Sequence, residues 1–84
     1  MSKKDKLVER LLSVPKDFKW DELVKVLSCF RYKELKNGKT GGSRRKFINE
    51  NNDVVILHKP HPHPEVKEYA LQQVITHLKD KGYV

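Results

Sequence analysis

Prolines at 60, 62 and 64 constrain this chain more than any other feature. A proline lacks an amide hydrogen and keeps its predecessor out of the helical region, so Lys59-Pro60-His61-Pro62-His63-Pro64 is held extended. The run separates two kinds of periodicity. Before it, Val54-Val55-Ile56-Leu57-His58 is almost wholly apolar and reads as a strand, expected to be the central or best-covered one. After it, Leu71, Val74, Ile75 and Leu78, extended by Val66 and Ala70, recur at helical spacing over about 65–81. Gly82 suits the stop, and Lys79 and Lys81 suit the negative end of that helix.

The amino-terminal half is helical by the same criterion. Leu7, Val8, Leu11 and Leu12 share one side of a helix over about 3–14, with Ser2 as a cap and Pro15 as its end. Trp20, Leu23, Val24 and Leu27 form a second helical stripe over about 20–29. Asp21 and Glu22 favour its first turn, whereas Lys19 is a poor cap. A weakly alternating strand follows over about 31–36, then a glycine-rich hairpin loop over 37–42. The next strand, about 43–49, puts Arg45 and Phe47 on one face and Arg44, Lys46 and Ile48 on the other. Glu50-Asn51-Asn52-Asp53 is a polar turn. The order is helix, helix, three strands, helix.

Eighty-four residues make one domain with a thin core, burying about 60–65% of the surface of its unfolded chain. A chemical site therefore belongs on the surface, where a polymer fits better than an enclosed metabolite. The single Cys29 cannot form an intramolecular disulfide and is expected to be a buried, inert thiol. No apolar run reaches the ~18 residues of a membrane span, and no hydrophobic segment follows the basic start, so a cytoplasmic protein is expected.

The net charge of +7 is uneven. Residues 31–67 carry nine cations and four acids, whereas 68–84 balance. Cations clustered in the strands and their loops favour a polyanion, because binding releases its condensed counterions. The strongest cluster, Gly41-Gly42-Ser43-Arg44-Arg45-Lys46-Phe47, joins a flexible turn to three consecutive cations. Histidines at 58, 61 and 63 come one strand later.

RNA carries its own nucleophile, the 2′-hydroxyl. Cleaving it without a metal needs a base near that hydroxyl, a cation near the phosphorane oxygens, and preferably an acid for the leaving 5′-oxygen. Histidine, with a reference pKa of about 6.5, serves both proton roles. His58 and His61 are the candidate catalytic residues. Ser43, Arg44, Arg45, Lys46, Lys59 and Lys67 are the candidate RNA contacts. The nuclease reading expects the guanidinium groups at 44 and 45 to share an open ledge with an imidazole. The products would be a 2′,3′-cyclic phosphate and a 5′-hydroxyl. His63 and His77 read as ordinary residues, and Ser43, lacking a triad, as a strand-entry or phosphate-contacting hydroxyl. Histidines 58, 61 and 63 are spaced so that a loop could fold round zinc. With one cysteine, no HExxH motif and no paired carboxylates near these histidines, no metal or other cofactor is expected.

The order of these segments, from Phe18-Lys19-Trp20-Asp21-Glu22-Leu23 through the Gly-Ser strand and His-Lys-Pro-His-Pro to Val66-Lys67-x-Tyr69 and a final Leu78-x4-Tyr83, closely resembles the HicA toxin family over about 18–84. The resemblance implies an α+β, double-stranded-RNA-binding-domain-like α-β-β-β-α fold with a three-stranded antiparallel sheet, here a single domain over 1–84 with an additional helix over 1–14. It also implies a metal-independent mRNA interferase of a bacterial toxin–antitoxin pair, neutralised by a HicB antitoxin that covers the RNA-facing surface. The sequence departs from the family pattern at one point. The family's catalytic histidine follows the Gly-Ser pair, where this chain has Arg44 and Arg45, and a guanidinium stays protonated near neutrality and cannot serve as a base. Either another histidine serves, or the chain is a non-catalytic RNA-binding module; a basic face built to dock an acidic protein is a third reading.

Overall fold

A computed structural model describes residues 3–35, 44–60 and 62–84, with side chains from residue 6 onward. The expected Ser2 cap, the hairpin loop at 37–42, Ser43 and His61 lie outside the described residues. The elements run α1 (Lys3–Leu12), α2 (Trp20–Cys29), β1 (Lys33–Leu35), β2 (Arg44–Ile48), β3 (Val54–His58) and α3 (Glu68–Asp80). The three strands form an antiparallel sheet in the order β1-β2-β3. The α2-β1-β2-β3-α3 portion has the order of the double-stranded-RNA-binding-domain-like fold.

The helices cover one face of the sheet. Phe47, Val55 and Leu57 point into the core, where they meet Trp20, Leu23, Leu27, Leu71, Val74 and Leu78. Trp20 tilts against Phe47 at 5.9 Å between ring centroids. Within α2, Val26 is fully buried and Val24 only half-buried, so the stripe is rotated slightly from the expected one. α1 joins the core through fully buried Leu11, while Leu12 is turned outward. Arg10 clasps α1 to the next segment. Its guanidinium donates to Glu22 at 2.6 Å and to Asp17 at 2.7 Å, and lies 5.3 Å from the centre of the Phe18 ring.

Strand β3 is not central: β2 is, and β3 is an edge strand with one covered face. Val54 and Ile56 point away from the helices and stay 38% and 39% exposed, so the apolar run is not a sign of two-sided burial. α3 starts three residues later than the periodicity suggested. Glu65 instead bridges Lys19, and the Val66 amide donates to the Phe18 carbonyl at 2.7 Å. The Trp20 amide donates to the Pro64 carbonyl at 2.8 Å, so the segments leading into α2 and α3 pair as a short ladder. α2 lacks a capping side chain at Lys19, but the Glu22 carboxylate accepts the Lys19 amide at 3.0 Å.

Both α2 and α3 end in the same motif. Tyr32 and Tyr83 each donate their amide to a carbonyl five residues back, at 3.1 and 2.9 Å, and the residue before each is left-handed. At 82 that residue is the expected glycine (φ +77°), but at 31 it is an arginine (φ +67°). Cys29 is half-buried rather than sealed, and its thiol donates to the Lys25 carbonyl at 3.3 Å.

Candidate nucleic-acid interface

The face of the sheet away from the helices is open. Alternation puts Arg44, Lys46 and Ile48 of β2 there, with Val54, Ile56 and His58 of β3 and Lys33 and Leu35 of β1. Antiparallel pairing fixes which of these meet. Arg44 is the cross-strand partner of His58, and Lys46 lies between Leu35 and Ile56. Partners in such a ladder have Cα atoms about 4.5–5.5 Å apart and side chains on one face, so the guanidinium of 44 and the imidazole of 58 reach the same space. Both residues are exposed.

Arg45 does not share this ledge. It pairs with Leu57 on the helix side of the sheet and is half-buried. Its Nε lies 3.8 Å from the Glu34 carboxylate, and Nη1 donates to the Arg44 carbonyl at 3.1 Å. The period-two pleat sends neighbouring residues to opposite faces, which separates the two guanidinium groups that the nuclease reading expects together.

Beyond His58 the chain leaves the sheet and crosses to α3. The crossing leaves a cleft of about 270 Å³ between the end of β3, the proline-spaced segment and the first turn of α3. His58, Lys59, His63, Glu65, Lys67 and Tyr69 line it. Lys59 and Lys67 thus face a common hollow, one residue after β3 and one before α3. The sequence singles out His58, Lys59 and Lys67. It presents His63 as ordinary and Tyr69 only as part of a motif. A signal for Tyr69 exists, because an aromatic ring in the first turn of α3 lies off the stripe formed by Leu71, Val74, Ile75 and Leu78.

Among the described residues, the groups with shifted titration lie at the opposite end of the sheet. The Tyr83 hydroxyl donates to Asp53 at 2.6 Å, Asn49 donates to the Tyr83 oxygen at 2.8 Å, and the Lys81 ammonium lies 3.3 Å from Asp53. The bond from Tyr83, helped by Asn49 and Lys81, lowers the pKa of the Asp53 carboxyl. The Tyr32 hydroxyl and His77 Nε2 are 2.6 Å apart. Burial, then the negative charge of Asp53, pushes Tyr32 up to about 12, and burial, then Lys81, pushes His77 down. Perturbed groups often mark functional sites. Here they bond to one another and tie the carboxy-terminal residues to the β2–β3 turn, which is a structural role.

Among the described residues, no helix is long and apolar enough to cross a membrane. A family model for the HicA toxin of bacterial toxin–antitoxin matches residues 20–82, most of the chain, from the first residue of α2 to the glycine that ends α3. α1 lies outside the matched span. No curated protein and no solved structure matches the chain.

Proposed function

The chain belongs to the HicA toxin family, and on that premise we propose that it is an endoribonuclease that cleaves mRNA through the RNA's own 2′-hydroxyl. His58 and His61 share the two proton roles, taking the hydroxyl proton and returning one to the 5′-oxygen. Arg44 and Lys46 stabilise the charge that develops on the phosphorane oxygens. Lys59, Lys67 and the Ser43 hydroxyl hold the phosphate backbone. Arg45, turned to the helix side, steadies β2 through Glu34. No metal enters this scheme, as the family resemblance implies. α1 is an addition to the family's core and takes no part in the chemistry.

The observation that carries this reading is the register that makes Arg44 and His58 partners on the open face. The residue matching the family's catalytic position is an arginine, and an imidazole stands directly across the ladder from it. The base is displaced by one strand rather than lost. The arginine adds a permanent cation that the family pattern lacks at that position.

The same substitution at 44 is the one observation that favours a second reading, a non-catalytic RNA-binding module. Incubating the purified protein with a defined RNA in the presence of a chelator separates the two. A nuclease gives fragments ending in 2′,3′-cyclic phosphate and 5′-hydroxyl; a binding module gives a gel shift and intact RNA. In either case binding weakens as salt rises. We further propose that a HicB-like antitoxin lies over the sheet face and the 58–63 turn. An acidic surface carrying apolar side chains suits the mixture of Arg44, Lys46, Leu35, Val54 and Ile56, and blocks RNA without touching the catalytic atoms. Growth arrest on induced expression, relieved by co-expression of that partner, tests the pairing.

A further inference from the structure

Tyr69 is 67% exposed, far more than any other large apolar or aromatic side chain on the described surface. The other two tyrosines are fully engaged: Tyr32 bonds to His77, Tyr83 to Asp53, and their rings meet edge to face. Among the described residues, Tyr69 has no hydrogen bond and no ring contact. Its ring is a wall of the cleft between His58 and α3, a hollow too small for a duplex and below the usual 300–1,000 Å³ of drug-sized ligand sites. Lys59 and Lys67 supply positive charge at this hollow, and Glu65 supplies a carboxylate. An exposed aromatic ring lining the same hollow as two cations is the pattern that binds unpaired nucleotides, the ring stacking on a base and the ammonium groups holding its phosphates.

Given the RNA-cleavage reading above, we propose that this cleft takes one unpaired nucleotide of the substrate, its base stacked on Tyr69, so that the chain acts on single-stranded RNA despite its double-stranded-RNA-binding-domain-like architecture. A paired helix keeps its base faces inside the stack and offers a protein only phosphates, sugars and groove edges. It cannot use Tyr69. Glu65 would repel a phosphate placed inside the cleft, but it can accept a hydrogen bond from an amino group on a base edge. The base therefore points inward, and the phosphates lie toward Lys59 and Lys67.

The test uses a short single-stranded 2′-O-methyl RNA, which cannot be cut, and an oligomer with the same phosphates but abasic positions. Fluorescence anisotropy reads the affinity of the parent protein, Tyr69→Ala and Tyr69→Phe for each. Base–aromatic stacking predicts that Tyr69→Ala weakens binding of the base-bearing strand about 5- to 100-fold and leaves the abasic strand unchanged. Tyr69→Phe retains parental affinity, because the ring and not the hydroxyl matters. The parent also prefers the single strand to its duplex at equal salt. An equal loss on both strands, or no loss on either, overturns the stacking proposal while leaving RNA cleavage intact. A parent protein that binds neither strand and cuts no RNA overturns the cleavage reading as well. Because Tyr69 is exposed, its truncation leaves the core untouched, and a thermal melt matching that of the parent confirms the fold.

Discussion

Moving the imidazole back across the ladder is the most direct test of the proposed chemistry. His58→Ala removes one proton carrier, and general acid–base help is worth about 10²–10⁴ in rate, or roughly 3–5 kcal/mol of barrier. We expect at least a tenfold fall in single-turnover cleavage, with His61 continuing in its own role. His58 is exposed on an edge strand, so its truncation should change stability by no more than about 0.5 kcal/mol. Arg44→His in the His58→Ala background is then the informative variant. The two positions are cross-strand partners, so the new imidazole projects from the same face about 5 Å from the lost one. It should recover roughly tenfold in rate over His58→Ala alone, a partial return because a cation is lost with Arg44. Arg44→Ala in the same background should recover nothing. Cleavage of end-labelled RNA gives the rates, and fragment end groups confirm that the reaction is unchanged. Parental rates for both His58→Ala and His61→Ala would refute the proton assignment. If Arg44→His is no faster than Arg44→Ala in that background, the argument from register is refuted.

Other expectations concern the frame around the site. Arg10→Ala removes a partly buried ion pair with Glu22, an exposed one with Asp17 and a cation–π contact, which together should cost about 1–2 kcal/mol and lower Tm by several degrees. Arg31→Gly should raise stability by up to about 1 kcal/mol in a denaturant titration, since position 31 is left-handed and the change gives up only an exposed 3.4 Å ion pair with Glu50. Burial, then the Lys81 charge, lowers the pKa of His77, so its contribution is complete above its unfolded pKa of about 6.5 and is lost as pH falls below that value toward its lowered folded pKa. Melts between pH 7 and 5 should show this slope in the parent and a flatter one in His77→Gln. Tyr32 works in the other direction. Its contribution holds below its ordinary value of about 10 and fades as pH rises toward about 12, so Tyr32→Phe should show less alkaline destabilisation in that window.

Elements with a strong period were legible in the sequence. Leu71, Val74, Ile75 and Leu78 mark the buried side of α3, and the Arg45/Phe47 alternation gives the faces of β2 correctly. What failed depends on partners far away in the chain. Val66 extends the helical stripe of α3 and Glu65 falls within the expected helix, but Phe18 and Lys19 draw them into a ladder. The apolar run of β3 says nothing about which of its faces another element will cover. Arg31 carries no sign of a left-handed conformation, because the motif that requires it is set by the docking of Tyr32. At the site, the sequence suggested that β3 lies beside β2 but could not give the register, and register decides that His58 meets Arg44 rather than Arg45. Tyr69 entered the sequence reading only as part of a motif, although its place off the stripe of Leu71, Val74, Ile75 and Leu78 marks it for the exposed side of α3.

The two ends of the sheet divide the work of the chain. At the β2–β3 turn, Asn49, Asp53, Tyr83 and Lys81 satisfy one another, and nearby Tyr32 and His77 form a bonded pair. Polar groups that spend their hydrogen bonds internally stabilise a small domain but have little left for a ligand. At the His58 end, Lys59, His63, Lys67 and Tyr69 line a common hollow and are all exposed. Such an arrangement adds little to stability and leaves cations available to a ligand, while the bonded groups at the other end hold the small core together. If this division is right, truncations at the tyrosine–aspartate end should lower Tm without selectively weakening RNA binding by the folded protein, and truncations lining the cleft should do the reverse. A cleft variant that unfolds the chain, or an Asp53→Ala that weakens RNA binding at a temperature where the fold is intact, would show that the two ends are coupled.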